Sequence, residues 1–316
     1  MPAFHPDLYP TARFLPRSVR PALIVRLWQL REALRRLQKS PRLPRVDGVI
    51  VRDVFVPSLT DAHPVRVRLY RPDNADQPTP TLLWIHGGGF VMGDPEIDET
   101  NNLAMVRETG IAVAAVDYRL APRHPFPAPL EDCYAALRWL SASADTLGVR
   151  PERIAVGGSS AGAGLAAGLV LMAHDRGEVP VAFQLLLYPM LDDRTVLRTD
   201  IDQSHVRLWN NDCNRFGWSA YLHRDPGSAE VHPYAAPARR ADLTGLPPTW
   251  MGMGTFDLFH DEDLAYAQRL SESGVACELH VVKGAYHGFD LFSPKSNLVK
   301  QFRRSYVDAL QRVLLA

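Results

Sequence analysis

The stretch Gly158-Ser159-Ser160-Ala161-Gly162 follows a short β-type run, Arg153-Ile154-Ala155-Val156, and leads into small residues, 163–168, that read as a tightly packed helix. A G-x-S-x-G turn at a strand-to-helix corner presents its central serine as a nucleophile. Glycine on either side lets neighbouring backbone approach where a Cβ would clash. Ser160 is therefore the candidate nucleophile. The pentapeptide alone recurs by chance, and Gly158, Gly162 and Gly164 also spell a G-x-x-x-G-x-G spacing that some dehydrogenases use to cradle a pyrophosphate. That second reading fails on two counts: no Tyr-x-x-x-Lys occurs in the chain, and the glycines lie mid-chain rather than after a first strand.

A serine hydroxyl at its free pKa is a poor nucleophile, so a base is needed, and a carboxylate to orient the base. Where this elbow is used, the order along the chain is serine, acid, histidine. After Ser160 that leaves His174, His205, His223, His232, His260, His280 and His287. His174 falls on or near the helix after the elbow, and His205, His223 and His232 lie in or beside an aromatic-bearing insertion. His280 sits within the apolar run 279–282 and reads as a packed core residue. His287, in the loop just past that run, is the best-placed general base. The acid should leave the preceding strand, and Asp257 is the first carboxylate after the run 250–253. It is favoured over Asp261, Glu262 and Asp263, which suit the first turn of the next helix.

A third element precedes both. The run 81–85 ends in His86-Gly87-Gly88-Gly89-Phe90. A purely structural turn rarely needs three adjacent glycines, whose backbone entropy loss on folding is large. Their use is to aim backbone N–H groups at one point, as acyl transfer requires where the tetrahedral oxyanion develops. The amides of Gly88 and Gly89, joined by that of Ala161, would form this oxyanion hole. His86 reads as a loop-ordering residue, not the base.

These residues need elements to position them. Alternation over 48–56 and 65–70, with turn chemistry between, predicts an antiparallel hairpin. Apolar runs at 82–85, 111–116, 154–156, 183–187, 250–253 and 279–282 alternate with helical patterns, which predicts a mainly parallel sheet covered on both faces. Residues 192–243 break the rhythm. They carry Trp209, Phe216, Trp218 and Tyr221 among polar residues, and the first half reads as a helical insertion over the sheet. Residues 1–45 hold ten Lys or Arg against Asp7 and Glu32. There Leu23, Ile24, Leu27, Leu30, Leu34 and Leu37 recur at helical spacing, predicting a basic amphipathic helix packed by its apolar stripe on the body of the protein, with an anionic membrane surface as the alternative.

Composition narrows the class. Thirty-five basic residues balance 35 acidic ones, so the overall field gives no argument for nucleic acid. No secretory h-region and no run of eighteen apolar residues is present, and Cys133, Cys213 and Cys277 form neither a disulfide framework nor a zinc pattern. The expectation is a cytoplasmic protein without stable membrane insertion, metal or other cofactor.

Taken together, the chain resembles the hormone-sensitive-lipase family of α/β-hydrolases from about residue 80 onward. The resemblance rests on five ordered motifs: His86-Gly87-Gly88-Gly89-Phe90, Asp117-Tyr118-Arg119-Leu120-Ala121-Pro122-Arg123-His124-Pro125-Phe126-Pro127-Ala128, the elbow, the segment 257–262, and His287-Gly288-Phe289. It implies an α/β-hydrolase fold of about eight strands with an antiparallel N-terminal edge. It also implies a catalytic domain over 46–316, with a helical cap from an arm at 1–45 and an insertion at about 192–225. The triad would be Ser160, Asp257 and His287, with Gly88, Gly89 and Ala161 as the oxyanion hole and Phe90, Trp209, Phe216, Trp218 and Tyr221 lining the pocket. The implied activity is a carboxylesterase on short- to medium-chain esters of small molecules. Lipase, lactonase or amidase action and a non-catalytic binding homologue are the alternatives, and a homodimer through an exposed edge strand is left open. Two positions depart from the family: Ser159, where Asp, Glu or Thr usually precedes the nucleophile, and Arg123, where many members have Glu.

Overall fold

The computed structural model describes residues 3–17, 19–23, 25–28, 30, 43–59, 63–75 and 77–316. Eight strands are present: β1 (Val49–Val56), β2 (Val65–Pro72), β3 (Thr79–Ile85), β4 (Ala112–Asp117), β5 (Val149–Ser159), β6 (Phe183–Leu187), β7 (Thr249–Phe256) and β8 (Cys277–Tyr286). They form one sheet in the order β1-β2-β4-β3-β5-β6-β7-β8. β2 runs antiparallel to β1, with Val49 opposite Pro72, and antiparallel to β4. Every later pairing is parallel. The expected hairpin and all six apolar runs are therefore strands of one α/β sheet.

β3 and β6 are buried along their whole length, as continuous apolar runs covered on both faces should be. β8 differs because it is the sheet's outer edge. Leu279 and Val281 are substantially exposed, and His280 is half-buried beside Ser305 at 3.3 Å instead of sitting in the core as its apolar neighbours suggested. The last three parallel strands whose ends carry chemistry also run further than their apolar stretches. β5 reaches Ser159, β7 Phe256 and β8 Tyr286, so each ends one residue before a reactive side chain.

The helix Ala161–Arg176 fits closely against its surroundings because of its small residues. A Cβ at Gly164 would lie 2.2 Å from the Met190 carbonyl oxygen, and one at Gly168 would lie 2.2 Å from that of Tyr234. At the hairpin end, buried Arg68 bonds both carboxylate oxygens of Asp53 at 2.7 and 2.9 Å and reaches Glu99 at 2.9 Å. Arg66 grips Glu96 with two bonds and Asp117 with another. This network ties the hairpin to the segment just after the glycine-rich loop.

Residues 192–243 contain no strand. Their main element is the helix Asn211–Leu222, whose N-cap Asn210 accepts from the Cys213 amide. The N-terminal segment lies against this region and against β8: the His5 amide donates to Gly284 and the Leu208 amide donates to Pro16. The expected inward leucine stripe is overturned. Leu23, Leu27 and Leu30 are exposed, while Val25 is buried and Trp28 half-buried on the inner side. Ile24, Leu34 and Leu37 lie outside the described residues.

Candidate active site

Four strand ends converge. Ser160 follows β5 with φ 55° and ψ −123°, a left-handed-side conformation that L side chains adopt only when the surroundings enforce it. The enforcement is visible in the glycines. A Cβ at Gly158 would lie 2.5 Å from the Ile85 oxygen, and one at Gly162 would lie 2.1 Å from that oxygen and 2.3 Å from His86 O. Both glycines are therefore required by backbone contact with β3 and the loop after it, not by a bound nucleotide.

The Ser160 hydroxyl lies 2.9 Å from His287 Nε2, and His287 Nδ1 lies 2.8 Å from Asp257 Oδ2. All three side chains are buried. Asp257 keeps its second oxygen occupied with the Phe259 amide at 3.0 Å, which fixes the carboxylate's rotation. Two of the rival carboxylates are engaged elsewhere, and the third is buried away from the histidine's hydrogen bonds. Asp261 pairs with Arg198, Glu262 accepts from the Leu191 and Asp192 amides, and Asp263 is buried with burial pushing its carboxyl well up. Glu262 is likewise pushed well up by burial, with its hydrogen bonds opposing.

The glycine loop abuts the serine. A Cβ at Gly87 would stand 3.3 Å from the Ser160 Cβ. Gly88 and Gly89 take φ of 123° and 59°, and Phe90 follows at 66°. Among the described residues no loop or turn carbonyl accepts the amide of Gly88, Gly89 or Ala161. His86 engages its own loop and not the serine. Its Nδ1 lies 2.8 Å from the Gly87 oxygen, its ring stacks on Tyr118 at 4.3 Å, and burial lowers its pKa. Tyr118, from the proline-bearing motif 117–128, also donates to the His86 carbonyl at 2.9 Å. That motif contains cis peptides before Pro122 and Pro127 and docks on the loop through Ala121 N to Phe90 O. Arg123 within it is exposed, and Ser159 is buried beside Gly87.

The expected pocket aromatics divide into two groups. Phe90 stacks on Tyr221 at 4.0 Å and tilts against Trp218 at 5.2 Å, and all three are fully buried. Their faces are taken up by each other, so they wedge the insertion helix onto the glycine loop and do not face open space. Trp209 lies directly over Gly89, where a Cβ would meet its ring at 2.0 Å, and Phe216 is half-buried.

Sequence reasoning missed what surrounds the histidine. Tyr188, the first residue after β6, presents its ring edge-to-face to His287 at 4.9 Å and donates its hydroxyl to Asp290 at 2.8 Å. Phe259 also packs edge-to-face with His287, at 5.2 Å. Burial raises the Asp290 carboxyl, with the Tyr188 hydrogen bond opposing, and Asp98, bonded to Trp84 Nε1 at 2.7 Å, is pushed by burial up to about 6. The one available signal was position: Tyr188 also leaves the carboxyl end of a parallel strand, where α/β folds build sites.

A strained serine at a strand–helix corner, a histidine on it, an acid behind the histidine and a glycine loop beside it make an acyl-transfer arrangement. A family model described as an alpha/beta hydrolase fold matches residues 82–291. The chain belongs to this family. Among relatives of this α/β-hydrolase, carboxylesterase NlhH of Mycobacterium tuberculosis is 34% identical over 266 residues, 83% of this chain and 82% of that protein. Esterase LipI of the same organism is 36% identical over 272 residues, 82% and 81% of the two chains. A solved bacterial heroin esterase superposes on the α/β-hydrolase with a TM-score of 0.89 at 41% identity, covering 99% of this chain and 98% of that one.

Proposed function

We propose that Ser160, His287 and Asp257 carry out two-step acyl transfer from carboxylic esters to water. The chain is a carboxylic ester hydrolase, and small-molecule esters are its substrates. The observation that carries the assignment of roles is the unbroken relay from the Ser160 hydroxyl through His287 to Asp257. Asp257 accepting from Nδ1–H holds the imidazole in the tautomer whose Nε2 takes the serine proton. As Oγ attacks the ester carbonyl, His287 holds that proton and returns it to the leaving alcohol. Water, deprotonated by the same nitrogen, then frees the acid. The amides of Gly88, Gly89 and Ala161 receive the oxyanion, each worth about 10²–10³-fold in rate.

The catalytic domain spans 46–316, and residues 1–45 with about 192–225 form the cap. Trp209 and Phe216 shape the acyl pocket, and Phe90, Trp218 and Tyr221 stand behind them. We assign it short- to medium-chain acyl groups, with Trp209 resting on Gly89 beside the oxyanion hole as the residue that bounds the acyl side. We place the enzyme in the cytoplasm, in keeping with three unpaired cysteines, and assign any self-pairing to the exposed edge of β8. The test is Ser160→Ala against a chain-length series of p-nitrophenyl esters. Loss of the serine should lower kcat by roughly 10⁶-fold while the protein stays folded. A folded Ser160→Ala protein turning over at the parent rate would overturn the assignment.

A further inference from the structure

The described residues between 3 and 30 carry a surface that ester hydrolysis does not use. Tyr9, Phe14, Leu23, Leu27 and Leu30 are 54, 77, 52, 58 and 57% exposed. Leu23, Leu27 and Leu30 stand at i, i+4 and i+7, so they share one face of the helical stretch, opposite buried Val25. Single exposed leucines are ordinary, whereas a stripe of them with two aromatic rings marks an interaction surface. The charge beside it has one sign. Arg13, Arg17, Arg20 and Arg26 are all exposed, Arg13 lies 4.5 Å over the Phe14 ring, and Asp7, the one acid between residues 3 and 30, is engaged with the Leu298 amide.

This surface is joined to the catalytic rim. The His5 amide bonds Gly284 just before His287, Thr11 Oγ1 bonds Ser293 at 3.0 Å, and Arg207 Nε donates to the Ala12 oxygen. Leu291 and Phe292, half-exposed in the short helix after the histidine loop, extend the apolar area from Thr11 toward the site.

We propose that this face docks the enzyme on an anionic lipid–water interface. The leucines, Tyr9 and Phe14 enter the boundary between headgroups and acyl chains, and the arginines bind lipid phosphates. A second copy is disfavoured as the occupant, because it would set four arginines against four arginines. The apolar residues are large and stand well out into solvent, which suits insertion into a fluid hydrocarbon. No helix among the described residues is long and apolar enough to cross a membrane, so the association is peripheral and reversible. It would present the mouth of the ester site to amphiphilic esters dissolved in the bilayer.

The experiment is flotation of the full chain with vesicles of phosphatidylcholine alone or doped with phosphatidylglycerol. Binding is expected on the doped vesicles only, and it should fall as salt shortens the Debye length. The triple variants Leu23→Ser/Leu27→Ser/Leu30→Ser and Arg17→Gln/Arg20→Gln/Arg26→Gln should each lower partitioning at least roughly tenfold, given the contribution of each buried apolar group and each cation at the interface. Ser160→Ala protein should bind like the parent, which separates this result from the esterase assignment. The proposal is overturned if the parent ignores anionic vesicles at low salt or if both triple variants bind undiminished. Light scattering showing a dimer that both triple variants dissociate would equally overturn it, assigning the face to a second copy.

Discussion

Gly162→Ala tests whether the elbow and the glycine loop are one mechanical unit. The added methyl would sit 2.1 Å from the Ile85 oxygen and 2.3 Å from the His86 oxygen. Both are backbone atoms, so no side chain can swing aside. Relief requires the helix Ala161–Arg176 and the end of β3 to separate by about 1 Å, an overpacking that typically costs about 1–3 kcal/mol. The displacement falls on Ser160 and Ala161 on one side and on His86 and its glycines on the other. A misplacement of about 1 Å at reacting groups costs about 10²-fold in rate. We expect kcat/KM for p-nitrophenyl butyrate to drop by about 100-fold or more, with the melting temperature lowered by roughly 2–4 °C per kcal/mol lost. The matched control is Gly177→Ala at the other end of the same helix. There a Cβ meets nothing within 4 Å, but φ is +64°, so stability falls by about 1–2 kcal/mol from backbone strain alone. Its kcat/KM should be unchanged. Equal activities for the two variants at comparable loss of stability would refute the coupling.

Asp257→Asn should lower kcat by about 10⁴-fold, because an amide facing Nδ1 favours the wrong imidazole tautomer; steady-state kinetics on the folded variant checks it. Tyr188→Phe removes the hydroxyl that Asp290 accepts, and chemical denaturation should show a loss of about 1–3 kcal/mol from the under-satisfied carboxyl. Asp98, raised from 3.8 to about 6, binds its proton more tightly in the folded state than in the unfolded one. Its contribution to stability is therefore present in full below pH 3.8 and is lost as pH rises to about 6, a change of about 3 kcal/mol for a shift of this size. Asp98→Asn should remove that slope, so the stability of the variant relative to the parent should rise between pH 4 and 6. Parallel stability curves over that window would show that Asp98 does not titrate there.

Much of the site was legible because its signals are local. Ser160, the glycines around it and the loop 86–90 announce themselves through residues adjacent in sequence, since a strained corner and an aimed row of amides need glycine at fixed offsets. Asp257 and His287 are singled out by their places just beyond apolar strands, and the structure brings them within 2.8 Å of each other. The Tyr188–Asp290 pair, 102 residues apart, has no such local mark: nothing in either neighbourhood distinguishes a tyrosine that braces a histidine from one that fills the core.

The sequence by itself determined that residues 23–37 carry leucines and an isoleucine at helical spacing and that residues 192–243 carry an aromatic cluster, because composition and spacing are properties of the chain. Which face turns inward was decided only by tertiary packing. Val25 found an inner contact and left Leu23, Leu27 and Leu30 outside, while Phe90, Trp218 and Tyr221 satisfied one another and left Trp209 over the glycine loop. The hydrophobic effect has no direction. A sequence therefore states how much apolar surface must be covered, and the fold decides what covers it.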